Sequence, residues 1–259
     1  MYPYIHIGHF SLGTFGLMLW LAAVCATIVL HRNFQRWQIS ADAIGIVAIS
    51  TVVGIVGAKL WHVFEDPQWL MQHPAAVLFD RSGFAWFGGL VGAILALLWE
   101  GRASRILPLT MLDLAAPAAA VGYGVGRLGC LTSGDGDYGK PTHLPWGMSF
   151  PNGLVPTTDR VHPTPVYELL VALLIGWALW RRGAVERPPG QITGEYLVLT
   201  GIARFLVEFI RINPPIYWGL TNAQVASIGS VLAGVLLVWW SKRQAMRTSL
   251  AQIETSAVL

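Results

Sequence analysis

Charge is what this chain has least of. Of its 259 residues, 12% are Asp, Glu, Lys or Arg, where soluble domains average about 25%. Hydrophobic residues make up 54% and mean hydropathy is +0.54. That balance excludes a soluble globular domain and predicts an integral membrane protein with little soluble mass. Cysteine is scarce too. Cys25 and Cys130 fall on different apolar segments, which excludes a disulfide framework. No His/Cys cluster has zinc spacing, and no G-x-S-x-G motif occurs. The first residues, Met1-Tyr-Pro-Tyr-Ile-His, hold no Lys or Arg, and no A-x-A-like site follows the first apolar run. No cleaved signal peptide is expected. Internal repeats and low-complexity tracts are also lacking. The pI near 9.0 fits a positive-inside membrane protein and not a nucleic-acid binder.

What is present is a series of apolar runs, each near the roughly 20 residues that cross a bilayer. Seven spans are predicted, at about 13–30, 43–64, 84–99, 107–129, 163–181, 192–210 and 220–240. They form a single all-α transmembrane domain over 1–242, followed by a polar cytoplasmic tail over 243–259 that is expected to fray. Basic residues set the orientation. Arg32, Arg36, Arg102, Arg105, Arg181, Arg182, Arg187, Lys242, Arg243 and Arg247 fall on one side of a seven-span chain. The opposite loops hold Arg81, Lys140, Arg160 and Arg211. The richer side is the cytoplasm, so the N-terminus is outside and the C-terminus inside. The loop of about 130–162 is then external. Its Gly and Pro forbid long regular elements, and Leu144, Trp146, Met148 and Phe150 predict an ordered cap.

Two arginines stand where the bilayer should be. A charge at membrane depth costs at least roughly 2.5–3.5 kcal/mol and is kept where it has a partner or a function. Arg127 is either a snorkelling residue near a helix end or a clamp for an anionic headgroup, since guanidinium meets phosphate through a planar fork of donors. Arg204, Glu208 and Arg211 share one helix face at i, i+4 and i+7, as a structural ion pair or as the wall of a polar cavity. Gly124-Val-Gly-Arg-Leu-Gly129 matches a dinucleotide fingerprint in letters, but no βαβ unit surrounds it. Gly122 and Gly126, like Gly88 and Gly92, form GxxxG steps. These predict close helix packing, with backbone open to a substrate as a second use. Asp135 and Asp137 read as turn formers or a weak cation motif. His162 and Glu168 open the fifth span as interfacial or functional residues. Cys130 is a small packing residue or a transient nucleophile.

Four segments in order resemble the prolipoprotein diacylglyceryl transferase family. Ser82-Gly-Phe-Ala-Trp-Phe-Gly-Gly-Leu-Val-Gly is similar to its G-G-x-x-x-H-G-G-L-x-G, and Gly126-Arg-Leu-Gly-Cys-Leu-Thr-Ser-Gly-Asp135 to G-R-x-G-N-F-x-N-x-E. His162-Pro-Thr-Pro-Val-Tyr-Glu168 is similar to H-P-x-Q-L-Y-E, and Gly201-Ile-Ala-Arg-Phe-Leu-Val-Glu-Phe-Ile-Arg211 to Y-G-x-x-R-F-x-x-E-x-x-R. The seven-span, N-out topology agrees with that family.

The resemblance implies a multi-pass enzyme of the bacterial inner membrane. It would move the diacylglyceryl group of phosphatidylglycerol, or a related anionic lipid, onto the lipobox cysteine thiol of a preprolipoprotein signal peptide, with no metal or soluble cofactor. Arg127 and Arg204 would hold the phosphate and Glu208 would orient Arg204, with Asp135 or Glu208 as the base. Gly126, Cys130, Ser133, His162, Tyr167, Glu168, Phe87, Gly88 and Gly89 would line the substrate site. The chain departs from the family pattern at several positions. Phe87 replaces a histidine, Cys130 and Ser133 replace asparagines, Asp135 replaces a glutamate, and Thr200 and Phe15 replace tyrosines. An altered thiol or lipid, a non-catalytic lipid- or lipoprotein-binding paralogue, and a small-solute transporter stand as alternatives.

Overall fold

The computed structural model describes residues 2–65, 70–71 and 85–257. A short hairpin, β1 (Tyr4–Ile7) and β2 (Phe10–Gly13), precedes α1 (Thr14–Arg36). Then come α2 (Ala43–Glu65), α3 (Trp86–Ala103), α4 (Pro108–Ser133), β3 (Met148–Phe150) and β4 (Thr157–Val161). The chain ends with α5 (Thr164–Arg182), α6 (Gln191–Val207), a 3-10 turn (Glu208–Ile210) and α7 (Asn222–Ala257).

Among the described residues there are thus seven long helices, one in each predicted span. Five of them, α1, α2, α4, α5 and the part of α7 over Asn222–Ser249, are long and apolar enough to cross a membrane. The 17 residues of α6 fall short of a full crossing as helix and continue into the 3-10 turn. The protein is a helical, multi-pass membrane protein. Beyond Lys242, where fraying was expected, α7 stays helical to Ala257. Arg81 and the segment 82–84 of the first family motif lie outside the described residues.

Two compact units are formed, Met1–Asn33 with Asp113–Leu259, and Phe34–Leu112. In the smaller unit, α2 and α3 pack backbone to backbone through glycine. A Cβ on Gly57 would come within 2.5 Å of the Gly88 carbonyl oxygen, and one on Gly92 within 2.7 Å of that of Val53. The Gly88/Gly92 step is therefore a packing seam, as its spacing predicted.

In the larger unit, α6 and α7 approach equally closely. A Cβ on Gly194 would lie 2.8 Å from the Gly234 oxygen, and one on Gly234 lies 2.6 Å from that of Gly194. The core between α4, α5 and α6 is Ala116, Ala120, Ile175, Leu179 and Ile192, with Tyr196 against it. Small residues on α4 bring the three helices that carry the site close together.

The starts of α6 and α7 are fixed by polar side chains. Thr221 and Gln224 form a reciprocal capping box at the start of α7, at 3.2 and 3.0 Å. Asp113 of α4 caps α6 from a neighbouring helix: its carboxylate accepts the Gly190 and Thr193 amides, both at 2.7 Å, and the Thr193 hydroxyl at 2.6 Å. These three bonds set the height of α6 against α4.

A side chain at Gly88 would meet the Gly57 oxygen at 2.3 Å, whereas nothing lies within 4 Å of a Cβ at Gly126. We expect Gly88→Ala to cost about 1–3 kcal/mol and Gly126→Ala to be neutral or slightly stabilising. Thermal unfolding in detergent reads both; equal losses would contradict the seam.

Candidate active site

The segment 134–163 between α4 and α5 folds as an ordered cap. β3 pairs with β4, and Tyr138, Phe150 and Val161 form its small core, with the Tyr138 and Phe150 rings stacked at 5.2 Å. Within it the Gly139 amide donates to the His162 oxygen at 2.8 Å, and the Lys140 amide donates outward to the Ile210 oxygen at 2.8 Å. No side chain fits at Gly139, because a Cβ there would be 2.5 Å from the Ile210 oxygen. The cap is therefore tied to the stretch that leaves α6.

Under that tie lies a closed ring of six charges. Asp137 pairs with Arg127. Arg127 Nε is 2.7 Å from Glu168 Oε2, and Glu168 Oε1 accepts from Arg204 Nη1 at 2.8 Å. Arg204 Nη2 is 2.9 Å from Glu208 Oε2, which lies 3.6 Å from Arg211 Nε. Arg211 closes the ring onto Asp137. Three cations alternate with three anions, so the formal charge is zero. Glu168 and Glu208 side chains are 4% and 0% exposed. Removing one member of such a buried network costs about 3–5 kcal/mol, because it strands the partner's charge.

Each member comes from a different stretch. Arg127 is two turns from the end of α4, Glu168 is in the second turn of α5, and Arg204 is in the last turn of α6. Glu208 opens the 3-10 turn. Arg211 follows in extended conformation, at φ −77° and ψ 162°, so the helical i, i+4, i+7 face holds for the first pair only. Asn213 steadies Glu208 with a bond of 2.6 Å. Tyr123, one turn before Arg127, accepts from Arg127 Nη2 at 2.8 Å and sets its ring 4.9 Å from the guanidinium.

The ring therefore unites Arg127, Arg204, Glu208 and Glu168 of the residues expected from the sequence. It does not include Asp135. The Asp135 carboxylate accepts the Asp137 amide at 3.2 Å, which is the turn-forming use, and Asp137 is the residue that meets the arginines. Ser133 donates to the Gly129 carbonyl of its own helix at 2.6 Å and is buried. Cys130 Sγ lies 3.7 Å from Arg127 Nη1. Gly126 faces open space. His162 Nδ1 is 3.2 Å from the Tyr167 hydroxyl, which also accepts from Trp146 Nε1 at 2.7 Å. Phe87, Gly88 and Gly89 lie on α3 in the other unit. There the Phe87 ring packs edge-on against Trp86 at 5.2 Å.

Cys130, Asp135 and Asp137 present one ligand atom each, all within 4.8 Å of one another. As a cation site the trio is poor, since Asp137 is already neutralised by two guanidiniums whose charge opposes a metal. Sequence reasoning gave Asp137 no part with the arginines, placed Arg211 only on the face of Arg204 and Glu208, and did not single out Tyr123. Tyr123 had a usable signal, its i−4 spacing from Arg127.

Burial pushes the Asp137 carboxyl up, but the Arg211 and Arg127 guanidiniums outweigh it and hold the group below its ordinary 3.8. A depressed carboxylate contributes stability that is full above its unfolded value and lost as pH falls through the folded one. Asp137→Asn should therefore melt lower than the wild type at pH 7, with the gap closing below about pH 3.8. Paired thermal unfolding across pH 7 to 3 checks this; a gap that does not change with pH would contradict it.

Comparison with known proteins places the chain. The family model described as prolipoprotein diacylglyceryl transferase matches residues 3–240. A Geobacter sulfurreducens protein is 34% identical over 240 residues, covering 89% of this chain and 88% of its own. One from Chromohalobacter salexigens is 31% identical over 266 residues, covering 97% and 96%. One from Pseudomonas putida is 31% identical over 249 residues, covering 91% of each. All three carry the name phosphatidylglycerol–prolipoprotein diacylglyceryl transferase.

Proposed function

The chain belongs to the prolipoprotein diacylglyceryl transferase family, and we propose that it moves the diacylglyceryl group of phosphatidylglycerol onto a lipobox cysteine of a preprolipoprotein. The observation that carries this is the ring: three paired guanidiniums, Arg211 buried and Arg127 and Arg204 partly open, at the capped end of three helices, where the headgroup of an anionic lipid in one leaflet would lie. The thiolate sulfur attacks the glyceryl carbon that bears the phosphate. A C–S bond forms, the C–O bond to phosphate breaks, and glycerol phosphate leaves with the electron pair. Arg127 meets the phosphate and stabilises its growing charge. Arg204, fixed between Glu168 and Glu208, adds a second positive charge in a set position. His162 and Tyr167, bonded to each other and through Tyr167 to Trp146 of the cap, are supporting polar positions.

Phe87 has no proton to exchange, Asp135 is turned to the Asp137 amide, and Glu208 is taken up by Arg204, Arg211 and Asn213. The acceptor is therefore used as the thiolate present at neutral pH, a few per cent for a cysteine of pKa about 8.5. The assay is thioether formation on a lipobox peptide with phosphatidylglycerol vesicles. We expect a rate that rises from pH 6 to 9, a gain for Phe87→His at pH 7, and losses of ~10²-fold or more for Arg127→Lys and Arg204→Lys. Near-wild-type rates in both Lys variants would remove the phosphate role. Phe87 also favours a second reading, a lipid-binding member without turnover. That reading is adopted if lipid binds but neither the wild type nor Phe87→His yields product.

The orientation belongs to the same proposal: seven spans in the bacterial inner membrane, N-terminus outside, cap at the outer leaflet. It is supported by the segregation of basic residues and by the seven helices. Cysteines placed at Lys140 and Arg102 should react with an impermeant thiol reagent from opposite faces. Labelling from one face would overturn it.

A further inference from the structure

The charge balance of the ring carries one step further, resting on the proposed lipid-phosphate site. Three guanidiniums face three carboxylates, and every cation is already paired. A lipid phosphate that simply joined the ring would leave a buried net negative charge, which is strongly unfavourable. The ring stays neutral, with no proton taken up, when one carboxylate leaves as the phosphate enters.

The three carboxylates are not equally held. Each meets two arginines, but Glu168 and Glu208 are side chains of regular turns and almost wholly buried. Asp137 is 30% exposed and sits in a loop between Gly136, at φ +94°, and Gly139. Its main chain is nonetheless fixed. The Thr164 hydroxyl and Arg211 Nη1 both donate to the Asp137 carbonyl, the latter at 3.1 Å, and its amide donates to Asp135. The carboxylate can swing out by side-chain rotation while the cap stays in place.

We propose that the Asp137 carboxylate is an internal stand-in for the substrate phosphate: it occupies the anion position between Arg127 and Arg211, and the phosphodiester of the lipid takes its place one for one. Both groups are monoanions, so the exchange keeps the ring neutral. Asp137 thereby tunes both affinity and selectivity. It holds the arginines in forked geometry while the site is empty, and it competes with every entering anion. A headgroup without a phosphate cannot displace it.

The test is lipid affinity of the full chain in detergent, measured by titration with dioleoylphosphatidylglycerol and with dioleoylglycerol. Removing an internal competitor removes its tax on apparent affinity. We expect Asp137→Asn to bind phosphatidylglycerol roughly five- to tenfold tighter than wild type, although it melts lower, and to leave dioleoylglycerol binding unchanged. Asp137→Glu keeps the charge and should bind near the wild-type level. Asp137→Ser serves as the second neutral variant should Asn fail to fold. Unchanged or weaker phosphatidylglycerol binding by the folded neutral variants overturns the proposal. So does an equal gain for dioleoylglycerol. Tighter phosphatidylglycerol binding without thioether product in any variant sustains the stand-in and sinks the transferase reading; product with unaltered affinity does the reverse.

Discussion

A buried charge must be paired, and in this protein the pairing closes on itself. Arg127 needs Glu168 and Asp137, Arg204 needs Glu168 and Glu208, and Arg211 needs Glu208 and Asp137. Only the Arg204–Glu208 and Glu208–Arg211 links are local in sequence; every other link joins separate stretches. The ends of α4, α5 and α6 and the first residues of the cap must come together for any of them to be stable. The ring is thus both the reason these elements converge and the feature of the larger unit best suited to meet an anion.

Everything around it serves that convergence. Alanines on α4 and the Asp113 cap on α6 set the helix positions at the opposite end. Gly139 lets the cap touch the segment after α6 without a side chain between them. Such packing is worth having because a fork of donors works only when its geometry is held. The cost is that an empty site already has all its cations neutralised, so on our proposal a substrate phosphate enters by exchange.

Much of this was legible in the sequence. The seven helices fall in the predicted spans because each apolar run is long and bounded by Gly, Pro or charge. Arg127 and Arg204 stood out because hydrocarbon makes an arginine conspicuous, and Glu208 followed from its spacing to Arg204. Glu168 was legible as a polar position but not as the bridge between two helices, since its partners are 36 and 41 residues away in sequence, at Arg204 and Arg127. Asp137 was hidden by its neighbour. Both aspartates sit in a Gly-rich turn, and only the fold shows that Asp135 closes the turn while Asp137 points to the arginines. Gly126 separated from Gly122 the same way: one spacing, two uses, with Gly126 left open beside Arg127.

The central claim is that this ring is where the lipid phosphate is handled. The most direct measurement is a structure of the protein with phosphatidylglycerol bound. The account predicts a phosphate within hydrogen-bond distance of the Arg127 guanidinium, with Glu168 still bridging Arg127 and Arg204. A lipid phosphate seated elsewhere, over a ring with all six members paired as described above, would contradict it.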